Sequence, residues 1–123
     1  MAELLAVGAG GFIGAVARYG LSRILSVFSD AFPWLATAGA NTLGCFALGV
    51  LMGSLERWTP VPEHARHFLI VGLLGSFTTF SAFSWDSLSF FREGNVRAGL
   101  GHIVVSVALG LAAAVCGFLV GRR

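Results

Sequence analysis

The sequence predicts an all-α membrane protein with four transmembrane helices, the third broken in mid-membrane, and three features carry that expectation. The 123 residues are 56% hydrophobic and only 11% charged, with a mean hydropathy of +0.83; a soluble domain carries roughly 25% charged residues. Residues 4–28, 34–55, 67–90 and 98–121 each form a mostly apolar run of at least 20 residues, long enough for a helix to cross a hydrocarbon core of about 30 Å. The third run contains the polar stretch LLGSFTTFSAFSWD at residues 73–86, which no ordinary lipid-facing helix would hold. Residues 1–123 are therefore expected to form one four-helix transmembrane domain, with little chain left over for a soluble one.

The first run begins after Glu3, lacks a basic leader and is longer than the apolar core of a signal peptide, so it is expected to remain as a span. Its GAGGFIG, Gly8 to Gly14, misses the dinucleotide-binding register because Ile13 stands where the third glycine belongs, and no strand precedes it. Gly10 and Gly14 instead fit the four-residue spacing that lets membrane helices approach closely, as do Gly49/Gly53 and Gly117/Gly121. Arg18 lies about fifteen residues into this run. It is expected either to snorkel or pair with Asp86, or to act as a fixed positive charge at a pore entrance.

In the second run Asn41 is the informative residue, because its carboxamide offers two N–H donors and one acceptor inside the membrane. By itself it is most simply an interhelical hydrogen bond. The third run combines Gly72 and Gly75 with Ser76, Thr78 and Thr79. Backbone entropy, β-branching and competing hydroxyls all disfavour a continuous helix there. Non-helical backbone at that depth must be buried in protein or line a cavity, and its freed carbonyls can coordinate a small cation. Past the break, Phe80 and Phe83 are three residues apart and share a face. Their positive ring edges can meet an anion without a full charge.

The fourth run is the most uniformly apolar, with His102 isolated near its start and Ser106 the next polar residue. Cys45 and Cys116 lack metal-ligand spacing and read as buried thiols. His64 and His67 fall at a loop-to-helix boundary, where solvated side chains are expected. All eight basic residues are arginine. Arg57, Arg66, Arg122 and Arg123 fall on one side and Arg23, Arg92 and Arg97 on the other, with Arg18 inside a span. A difference of one charge is a weak orienting bias, so insertion both ways up is expected. The arginines form no cluster interleaved with aromatics, which excludes a nucleic-acid surface.

Three blocks carry a family resemblance: GGFIGAVARY at Gly10 to Tyr19, NTLG at Asn41 to Gly44, and GSFTTFSAFSWD at Gly75 to Asp86. In these, and in length and layout, the chain resembles the Fluc family of fluoride channels, also called CrcB proteins. One departure is Ala82, where many members have Thr. The resemblance implies an antiparallel, dual-topology homodimer in the plasma (inner) membrane, with two narrow pores along the subunit interface. It implies that Phe80 and Phe83 line the fluoride path, that Asn41 donates to the ion, and that Ser81 and Ser106 belong to a hydroxyl track. It further implies that Arg18 falls in the vestibule region and Asp86 near the far end of the pore, and that a structural Na+ is held by the backbone carbonyls of Gly75 and Thr78 from both subunits. Transport would be passive release of cytoplasmic fluoride.

That implication fits the chemistry. Fluoride is small and strongly hydrated, so a pore must replace its water hydrogen bonds while binding weakly enough for exit. The chain has no nucleotide motif and no paired buried acids for a proton relay, and an enzyme is not expected. The alternative is a small dual-topology, proton-coupled multidrug exporter. Such a protein needs a mid-membrane carboxylate, and Asp86 is the only candidate. A purely structural partner of other membrane helices would use the glycine faces without needing the polar break.

Overall fold

The computed structural model describes residues 1–28, 34–56 and 61–123, all of whose regular structure is helical. The Ser29-to-Pro33 connection and Arg57 of the arginine count lie outside the described residues. Helix α1 runs Ala2–Phe28 and α2 runs Trp34–Leu55. Helix α3 (63–77) joins an α-helical turn, Glu63–Arg66, to a π-helical segment, His67–Leu74, and a last turn, Gly75–Phe77. Helices α4, Phe80–Arg92, and α5, Val96–Gly121, complete the chain. Taking α3 and α4 as one interrupted span, four segments are long and apolar enough to cross a membrane.

Local chemistry sets the ends, which match the expected spans at residues 28, 34, 55 and 121 and fall a few residues beyond them elsewhere. Pro62 is extended and precedes the first turn of α3, where Glu63 favours the positive helix end. Gly94, at φ 77°, ends α4 in a backbone conformation that a side chain would resist. The side chain of Asn95 then accepts from the Ala98 amide, capping α5 two residues before the expected start at residue 98.

Small residues pair the helices. Gly10 and Gly14 of α1 lie on the α3 backbone, so that a Cβ at Gly10 would meet the Phe68 carbonyl and one at Gly14 the Leu73 carbonyl. Gly72 completes this contact from the α3 side, its missing Cβ position lying 2.7 Å from Val7 O. Helices α2 and α5 pack in the same way, with Gly49 and Gly53 against the carbonyls of Ala114 and Phe118, and Gly117 and Gly121 against those of Phe46 and Val50. The expected glycine faces are thus real packing surfaces, and they fix two tight helix pairs, α1/α3 and α2/α5. Beyond these pairs, α4 lies on α5, with the Phe91 ring filling the space a Cβ at Gly99 would need.

The large apolar side chains face outward. Ala40 is the buried apolar residue among those described, whereas Phe12, Tyr19, Phe80, Trp85 and Val104 are more than half exposed. A chain so arranged needs lipid or other apolar surface around it. At one end of the α2/α5 pair, Arg122 Nε lies 3.1 Å from Glu56 Oε2, an exposed ion pair worth about 0–1 kcal/mol.

Candidate functional site

The break in the third span falls at Thr78 and Thr79, whose backbones are extended at φ −84°, ψ 158° and φ −151°, ψ 116°. Gly72 and Gly75, expected to contribute to the break, remain helical. Gly72 serves the α1 contact, and the β-branched threonines mark the interruption.

Side chains from α1 and α2 satisfy the opened backbone. Asn41 Nδ2 donates to the Thr79 carbonyl at 3.0 Å, and the Thr79 amide donates to Asn41 Oδ1 at 2.7 Å. The expected interhelical role of Asn41 is therefore a two-bond clamp on one residue of the break, with a second Nδ2 hydrogen left over. Arg18 Nε donates to the Ser76 carbonyl at 3.1 Å. Of the expected alternatives for Arg18, pairing with Asp86 is not what the structure has; the guanidinium caps the end of α3. Gly44 makes room at the same level, since a Cβ there would collide with the Thr78 methyl. The NTLG block thus contributes a clamp and a clearance one helical turn apart.

The clamp changes which carbonyls are served. The Thr79 amide would serve Gly75 O in a continuous helix, but it goes to Asn41. The Ala82 amide would serve Thr78 O, but it goes to Thr79 Oγ1 at 3.2 Å. Gly75 and Thr78 therefore each present a carbonyl deprived of its helical donor, a donor set suited to a small hard cation. On the other side of the break, α4 starts at Phe80 and directs its positive end inward.

Six of the expected site residues share one groove. Asn41, Gly75, Thr78, Phe80, Phe83 and Ser106 all border an open groove of about 460 Å³. The rings of Phe80 and Phe83 sit 5.6 Å apart, centre to centre, and Phe80 is 79% exposed. Ser106 makes no hydrogen bond to any described residue, so its hydroxyl remains available to the groove. Ser106 also borders a second groove of about 820 Å³ that contains Asp86, Trp34 and His102. Asp86 is therefore a neighbour of the first groove rather than a member of it. Arg18 lines a third depression of about 210 Å³ with Thr79 and Ala82.

Several hydroxyls are already committed. Thr78 Oγ1 donates to Leu74 O, Ser84 Oγ to Phe80 O and Ser87 Oγ to Phe83 O, the usual way a membrane helix satisfies such groups. Ser81, expected in a hydroxyl track, lies 3.1 Å from Thr79 Oγ1 and borders none of the three grooves.

His102 is the residue that sequence reasoning missed, for it is not isolated. It is 8% exposed, with Nδ1 3.0 Å from Ser87 Oγ, and its ring stacks on Phe83 at 5.5 Å and meets Trp34 and Phe90 at 5.6 Å. Its Nε2 and Asp86 Oδ2 are buried without a hydrogen-bond partner. The four-residue spacing of His102, Ser106 and Gly110, which puts all three on one face of α5, was the available signal.

Comparison with known proteins agrees with the expected relationship. The model of the family described as CrcB-like protein, Camphor Resistance (CrcB), matches residues 5–118. A curated protein of Rhizobium johnstonii, named fluoride-specific ion channel FluC, is 42% identical over 99% of this chain and 98% of its own length. Proteins of the same name from Paracoccus denitrificans, 40% identical over 96% of this chain and 93% of their own, and from Dehalococcoides mccartyi, 42% identical over 90% and 85%, are similarly related.

Proposed function

Because the chain belongs to the CrcB-like family, we propose that it is a fluoride-selective passive ion channel that releases cytoplasmic fluoride across the inner membrane. The observation that carries this reading is the groove that an Asn41 donor, the exposed ring of Phe80, Phe83 and the free Ser106 hydroxyl all border beside a broken helix. The positive end of α4 and the ring edges offer an anion favourable potential, and among the described residues no charged side chain borders that groove to hold it. Asn41 has one N–H to spare for a passing ion.

The groove is open along one side, and the exposure of Phe80 supports closure by a second copy. In our reading the copies are antiparallel, as balanced arginines permit, and enclose two pores. Gly75 and Thr78 of both copies would hold a structural Na+ through the carbonyls that the clamp leaves without helical donors. The ion would add positive potential to the interior and link the two broken helices.

Fluoride efflux from liposomes holding the purified protein, followed with a fluoride electrode after adding a potassium ionophore, tests this function. Rapid release of fluoride without release of chloride is expected. No fluoride release from a folded dimer would overturn the channel, and proton-driven drug uptake dependent on Asp86 would then establish the exporter alternative. The buried, unpartnered Asp86 Oδ2 is the observation that favours that second reading.

A further inference from the structure

Three ligand-bearing side chains meet at the end of the bundle where α1 and α3 both begin. Glu3, in the first turn of α1, and Glu63 and His67, of α3, each offer one ligand atom, and all three atoms lie within 4.8 Å of one another. Glu63 and His67 are four residues apart and so share a helix face. Glu3 is carried to them by the α1/α3 contact that Gly10, Gly14 and Gly72 make possible.

The charges there are poorly matched by the protein itself. Two carboxylates are held close together, and no described basic side chain makes an ion pair with either. His67 Nδ1 is buried without a hydrogen-bond partner, although both acids are exposed and near. Three atoms at most 4.8 Å apart fit within a circle of radius about 2.8 Å. Small rotations of the two exposed glutamates would bring them to the about 2.0–2.2 Å of zinc–oxygen and zinc–nitrogen bonds. An imidazole with two carboxylates favours a first-row transition ion over Mg2+ or Ca2+, which prefer oxygen alone.

We propose that Glu3, Glu63 and His67 form a binding site for a divalent transition metal, with Zn2+ the best fit, that fastens the start of α1 to the start of α3. Water completes the coordination from the exposed side. The site is independent of the ion path, and its effect is on stability: an ion bound only by the folded protein shifts the folding equilibrium towards it. It would also steady the first half of the broken span, adding to the glycine contact and to the Arg18 hydrogen bond at its other end.

The test is a Zn2+ titration of thermal unfolding on the full chain, purified without a histidine tag, stripped with EDTA and carrying Cys45→Ser and Cys116→Ser to remove the thiols. A saturable rise in melting temperature at micromolar Zn2+ is expected, with none at equal Mg2+. Glu3→Gln and Glu63→Gln should each weaken the apparent affinity at least tenfold, and His64→Gln should leave it unchanged. Absence of any shift, or an affinity unaltered by both glutamate variants, would overturn the proposal. Because both glutamates are exposed, these variants decide the matter even if His67→Gln fails to fold.

Discussion

Asn41 and Thr79, 38 residues apart, exchange two hydrogen bonds, one in each direction, and so hold the break in the third span against α2. Asn41→Ala is expected to destabilise the protein by about 1–3 kcal/mol, since it leaves a partly buried amide and carbonyl unpaired. Asn41→Asp should be no better, because a carboxylate would face the Thr79 carbonyl. Thermal unfolding in detergent measures the cost, and wild-type stability in both variants would show that the clamp is dispensable.

Phe80→Ile and Phe83→Ile remove the ring edges while keeping apolar bulk. Fluoride efflux should fall at least tenfold in each, with the elution position of the purified protein unchanged. Undiminished efflux in both would exclude an aromatic path.

Gly14 and Gly117 sit where a Cβ would strike backbone, whereas Gly8 has open space around it. Gly14→Ala and Gly117→Ala should each cost about 1–3 kcal/mol as the helices are forced apart. Gly8→Ala should be neutral or stabilising by up to about 1 kcal/mol through helix propensity. Melting temperatures of the three variants test the ranking.

Exchange of Na+ for a large organic cation should lower the melting temperature of the dimer, and K+ should not restore it. For a site held at a hundred times its dissociation constant the loss is about 2.7 kcal/mol. Identical melting in all three salts would remove the sodium from the proposed assembly.

Reporter tags on the C-terminus should report both orientations in cells, because the arginines on the two sides differ by only one. Detection of one orientation alone would rule out the antiparallel dimer.

The break itself was legible from composition, since Ser76, Thr78 and Thr79 follow each other in a chain otherwise rich in helix formers. The role of Arg18 was not. Its partner is a backbone carbonyl 58 residues away, a group present at every position and carrying no signal in the residue types. His102 looked isolated for a related reason: its partners Ser87, Phe83, Trp34 and Phe90 belong to other helices. The contact between Ser81 Oγ and Thr79 Oγ1 likewise depends on how the backbone turns at the break.

The amino-acid sequence by itself determined the four apolar spans, the place where the third cannot stay helical and the glycine faces available for packing. Each is a local sum of hydropathy or propensity along the chain, or a spacing along one helix. Tertiary structure alone decided which polar groups meet. Once Gly10 and Gly14 had set α1 on α3, and Gly49 and Gly117 had set α2 against α5, Arg18 reached Ser76. Asn41 reached Thr79 in the same arrangement. Most buried polar groups find a partner where packing places one, and only the packed helices specify where that is.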